Sequence, residues 1–111
     1  MAKEIFNSHN FTAKDVFNIR AAQKLDSAKG KVLKVVGCAT GNDVSGETGE
    51  LVNTGYLKTE EGMYSTISKT AIDSIDALID CFADNGGEPI EIKVGTGRSN
   101  AGREFIVLTM I

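Results

Sequence analysis

The sequence predicts a mainly β domain with one amphipathic helix, and three observations predict it. Val, Ile and Thr gather in short runs separated by Gly, Asn, Asp and Ser clusters, the punctuation of a chain that repeatedly turns back on itself. Twelve glycines against a single proline, Pro89, leave strands unbroken and turns well supplied. Only the stretch after Ser68 carries apolar residues at helical spacing over several turns. The 111 residues, 41% of them hydrophobic, fit one domain with a real core.

The elements follow in order. Residues 1–28 are read as an N-terminal extension with a short helix or two turns. Thr12 is a helix cap with Asp15 three residues on, and Phe11, Val16 and Ile19 share one side. Residues 31–37 are the first strand, and residues 40–49 a polar, glycine-rich loop. Residues 51–58 form the second strand, Glu60-Glu61-Gly62 a tight turn, and residues 63–67 the third strand. Ser68 then caps a helix in which Ile72, Ile75, Ile79 and Phe82, with Ala71 and Leu78 beside them, make one apolar stripe. Asp73, Asp76, Asp80 and Asp84 fall on the opposite face, and Asn85-Gly86-Gly87 ends the helix. Residues 89–94 are the fourth strand, residues 95–102 a hairpin loop and residues 103–111 the fifth strand. This β-β-β-α-β-β order is that of the OB-fold, a five-stranded barrel with a helix between strands three and four. Other small α+β sheet domains share the order.

The inventory excludes several function classes. No stretch approaches the roughly 20 apolar residues of a spanning helix, and the first residues lack the apolar region of a signal peptide. Cys38 and Cys81 stand alone, so both are expected reduced and buried, in a cytoplasmic protein. One histidine, His9, and two distant cysteines do not make a standard zinc site. The oxygens of residues 42–47 miss the spacing of a calcium loop. Gly95-Thr96-Gly97 has no helix behind it to serve a phosphate cradle. No catalytic arrangement stands out. The expectation is a protein that is not an enzyme and needs neither metal nor cofactor.

Charge is unevenly spread. The chain carries 12 basic and 15 acidic residues, and removing the four helix aspartates leaves 12 against 11. The strand region is therefore near neutral to slightly basic. Lys31, Lys34, Lys58, Lys69, Lys93, Arg98 and Arg103 lie on or beside strands, as a backbone-tracking groove requires. Tyr56, Tyr64 and Phe105 are the candidate platforms for stacked bases. Strand tyrosines also serve as half-buried packing residues, and strand lysines as edge protection.

Tyr64-Ser65-Thr66-Ile67-Ser68-Lys69-Thr70, then Leu78-Ile79-Asp80, Lys93-Val94, Gly97, Ser99, Gly102 and Phe105, resemble the single-stranded DNA-binding proteins of small tailed phages that replicate by protein priming. The resemblance covers roughly the second half of the chain. It implies a compact replication protein that coats displaced strands, protects them from nucleases and aids strand displacement. It also implies that Tyr64 stacks on a base. The family's other binding tyrosines fall where this chain has Ala39, Thr40 and Asn42, so those contacts are absent or replaced.

The expected function is sequence-independent coating of single-stranded DNA, with self-association on the DNA left open. DNA would cross strands two and three between the loops after strands one and four. The alternative is a protein-interaction module, such as a host-factor inhibitor, using the acidic helix face.

Overall fold

The computed structural model describes residues 4–44 and 49–111. The strands are β1 (Glu4–His9), β2 (Gln23–Lys24), β3 (Val32–Val44), β4 (Leu51–Thr59), β5 (Gly62–Thr66), β6 (Ile90–Arg98) and β7 (Glu104–Met110). The helices are α1 (Ala13–Asn18) and α2 (Lys69–Asp84). Short 3-10 turns, Ile19–Ala21 and Leu25–Ala28, flank β2.

All strands belong to one sheet, ordered β2-β5-β4-β3-β6-β7, with β1 added on β3. The long β3 makes this possible. Its first residues pair with β6, and its later residues pair with β4 on one side and β1 on the other. A register shift between Val35 and Gly37 marks the change, and both Val35 and Cys38 are fully buried. An extra residue in one strand bends and twists it, and the sheet curls into a half-barrel. At the bend, a Cβ on Gly37 would lie 2.7 Å from the backbone oxygen of Asn10, so the end of β1 can come this close only to glycine.

The curl encloses the main core. Leu33, Val35, Cys38, Leu57, Ile90, Ile92, Val94 and Ile106 meet Ala71, Ile75, Leu78 and Phe82 of α2. The apolar stripe of α2 is as expected, with Ile79 at its half-buried margin. Asn85-Gly86-Gly87 ends the helix: both glycines have positive φ, and the Gly87 N–H donates to the Phe82 carbonyl at 2.8 Å. Two details differ. Ser68 holds the N-cap position, but its side chain makes no capping bond. Asp76 is half-buried, not solvated, and accepts a 2.6 Å hydrogen bond from Thr40 Oγ1. Burial, then the nearby Asp76 charge, pushes the Cys38 thiol up to about 12. Cys81 is half-buried, not buried, and both cysteines are free.

The sheet has seven strands where the sequence suggests five, because the N-terminal residues join it. Thr12 and Asp15 form the expected capping box. It anchors α1 so that Phe11 and Val16 pack with Ile5 and Met63 against Ile19, Ala39 and Tyr56, a second small core on the outer face. Residues 40–44 are strand, not loop. Pairing with β4 throughout, and with β1 as well at residues 40–42, satisfies their backbone groups despite their polar composition. Residues 45–48 of the expected loop lie outside the described residues. Residues 95–98 are likewise strand. The turn proper spans residues 99–103, where the Ser99 N–H donates to the Arg103 carbonyl and Gly102 takes φ +81°.

Candidate nucleic-acid interface

The half-barrel has an open seam. The end strands of the sheet, the two-residue β2 beside β5 and β7 at the other end, do not pair with each other among the described residues. A groove of about 870 Å³ runs along the gap. Ser65, Thr66 and Ile67 line one side, Glu104, Phe105 and Ile106 the other, and Arg20, Lys24 and Lys29 enter from the N-terminal segment. Thr54 and Tyr56 of β4 line it from the sheet's outer face, with Asp26 and Asp43 also in the lining. Lys29 and Glu104 form an ion pair across the seam. The hydrogen bond from Lys29 holds the Glu104 carboxyl below its usual range, and the same bond raises Lys29. Both side chains are exposed, so the bridge is weak and salt-sensitive.

The expected site residues separate into three groups. Tyr56 and Phe105 meet the groove. The Tyr56 ring is buried and stacks at 5.9 Å on Phe11, so it offers an edge and not an open face. Burial raises its hydroxyl above the ordinary value; the neighbouring Thr54 hydroxyl opposes the rise, and the charge of Asp43 adds to it. Phe105 is half-exposed and lies over β6, where a Cβ on Gly97 would be 2.9 Å from its ring. Lys69 is exposed at the first position of α2, next to Ser68 on the groove wall. Arg98 and Arg103 are exposed around the last hairpin, with Arg98 opposite Glu104.

Lys31, Lys34 and Lys93 form the second group. They are exposed on β3 and β6 or immediately before β3, where Lys93 pairs with Val32 and Lys34 with Glu91. The third group serves the interior. Lys58 donates to the Asp15 carboxylate at 2.8 Å and to the Asn10 carbonyl at 3.3 Å, so its charge is spent holding α1. Burial pushes Asp15 up, but the bonds from Lys58 and Thr12 outweigh it and hold its carboxyl below the usual value. Tyr64 is 8% exposed and belongs to the main core with Leu57 and Ile75. The ring expected to stack on a base is thus packed in the core of the free protein. On β5 the alternation of side chains turns Tyr64 inward, toward the same interior as its partner Leu57.

Arg20, Lys24, Lys29 and Thr54 are groove residues that the sequence did not single out. Arg20 and Lys24 lie in a segment without clear periodicity. The one available signal was the Thr12–Asp15 capping box, which fixes the start of that segment. Lys29 meets Glu104 across 75 residues, a pairing no local pattern reveals.

Among the described residues no group of three His, Cys, Asp or Glu side chains could hold a metal ion, and no helix is long and apolar enough to cross a membrane. Fold and groove together define a small curled-sheet domain with a seam lined by three basic and three acidic side chains. The chain belongs to the family of phage single-stranded DNA-binding proteins, whose sequence profile matches residues 4–111. The match therefore includes the N-terminal segment, beyond the second half that carries the resemblance by eye. No curated protein and no solved structure matches the chain.

Proposed function

We propose that this protein binds and coats single-stranded DNA without sequence specificity during phage DNA replication, in the host cytoplasm and without a cofactor or catalytic step. The family match over residues 4–111 carries the reading. The element order from β3 to β7, with α2 between the third and fourth of these strands, supports an OB-like barrel. The exposed Lys31, Lys34, Lys69, Lys93, Arg98 and Arg103 supply phosphate contacts, which carry no base information, and Phe105 supplies a stacking face.

Gel shifts with a mixed-sequence single-stranded oligonucleotide and the matching duplex test the proposal. Tighter binding to the single strand is expected, with a salt slope of roughly 0.7 per phosphate contact. Cooperative self-association on DNA would appear as a sigmoidal titration. Equal or tighter binding to duplex overturns the reading. The exposed Asp73, Asp80 and Asp84 on α2 favour the second reading, an acidic surface for a protein partner. An absence of DNA binding in the same experiment would select it.

A further inference from the structure

The seam groove contains a polar group that the fold leaves unsatisfied. Thr54 lies in the groove lining and is 7% exposed, and its Oγ1 is buried with no hydrogen-bond partner. The Tyr56 hydroxyl lies close enough for the Thr54 hydroxyl to favour its ionised form, although Oγ1 makes no bond within hydrogen-bonding limits in the free protein. A buried hydroxyl without a partner is destabilising, and a small domain gains nothing from it in the free state. Alongside Asp26 and Asp43, two cations from the N-terminal segment, Arg20 and Lys24, line the same groove. Both are exposed, and neither has an ion-pair partner among the described residues.

We propose that one strand of DNA lies in this seam with its phosphates on Arg20 and Lys24 and one base turned down onto Tyr56 and Thr54. The inference rests on the single-stranded DNA reading and assigns it a place and residues. The vertical order follows from burial: the charges are exposed, whereas the uncharged ring edge and hydroxyl are buried. A nucleotide has the same order, charged at its backbone and apolar with polar edges at its base. Oγ1 is buried in the free protein, so the contact requires Thr54 to change its χ1 rotamer and turn Oγ1 toward the groove. A hydroxyl both donates and accepts, so it can bond the edge of any base, which suits a binder that does not read sequence. In a duplex that edge is already paired, so the contact selects single strands. The Lys29–Glu104 bridge crosses the same groove, and a phosphate can replace the Glu104 carboxylate on Lys29.

Three variants test this with a fluorescein-labelled, mixed-sequence single-stranded oligonucleotide. Thr54→Val keeps the shape and removes the hydroxyl. It should melt at or above the parent temperature while losing about three- to tenfold in affinity, the worth of one hydrogen bond. Arg20→Gln combined with Lys24→Gln should fold normally and lower the salt slope by about 1.4. Lys14→Gln, exposed on α1 and outside the groove lining, should leave the slope nearly unchanged. Unchanged affinity in Thr54→Val overturns the base contact. An unchanged slope in the double variant overturns the seam while leaving single-strand binding intact. Failure of the parent protein to bind the oligonucleotide overturns both.

Discussion

Side chains along β4 alternate between two environments. Gly55 and Leu57 face α2. Leu57 is fully buried, and a Cβ on Gly55 would lie 2.8 Å from Ile75 Cδ1. Thr54, Tyr56 and Lys58 face the N-terminal segment, where one hydroxyl lacks a partner, one ring shares its edge with a groove and one ammonium is tied to Asp15. The first environment is close-packed and apolar, so each atom removed from water adds stability. The second retains polar groups at some cost to stability. Stability and ligand chemistry thus sit back to back on one strand, two residues apart in period, and substitutions on the two sides should fail in different ways.

Ile75→Asp should give the largest effect. Ile75 is fully buried in the main core, and an unpaired carboxylate there costs several kcal/mol, comparable with a small domain's whole stability of about 5–15 kcal/mol. Far-UV circular dichroism should show an unfolded chain at room temperature. A cooperative melt near that of the parent would mean that α2 does not bury this face.

Tyr64→Ala tests the comparison at its most informative point, because the residue was expected on the ligand side and stands on the core side. Truncating a buried aromatic side chain costs about 3–5 kcal/mol. The melt should fall steeply, while DNA affinity per folded molecule stays at the parent level. A normal melt with weakened binding would return Tyr64 to the interface and reverse the assignment of the two faces.

Asp15→Asn should give the smallest effect, about 1 kcal/mol, since it removes one partly buried ion pair and leaves an amide to cap Thr12. Its pH dependence has a definite sign. The folded state holds the Asp15 pKa below its ordinary value of 3.8. Its stabilisation is therefore complete above that value and lost as pH falls through the lowered folded one. Melts of parent and variant should differ at neutral pH and converge in acid. A difference that persists in acid would show that Lys58 does not hold the α1 segment through charge.

Legibility follows the range of the interactions involved. α2 was visible because its apolar stripe repeats within four residues, and its glycine stop because positive φ is a local demand. The thirteen-residue length of β3 was not visible, because Thr40-Gly41-Asn42-Asp43 has loop composition and becomes strand only when β1 and β4 take up its backbone groups from both sides. The N-terminal segment showed its cap but not its destination, since Thr12 and Asp15 are neighbours whereas Asp15 and Lys58 are 43 residues apart. For the site, the sequence supplied cations and rings of the right kind but could not say which were already engaged. Lys58 and Lys69 have the same chemistry, yet one is bound to Asp15 and the other is exposed.

The sequence by itself determined the β-rich character, the helix with its buried face, the tight turn at Glu60–Glu61 and the capping box at Thr12. Each rests on residues within a few positions of one another, where backbone preference and hydrophobic period act without help from the rest of the chain. Tertiary structure alone decided the curl of the sheet, the seam between the β2–β5 edge and β7 and the inward turn of Tyr64. It also decided the arrival of Arg20 and Lys24 beside Thr54. These depend on strand register and on a bulge between Val35 and Gly37. A shift of one residue in register moves every side chain of a strand to the opposite face.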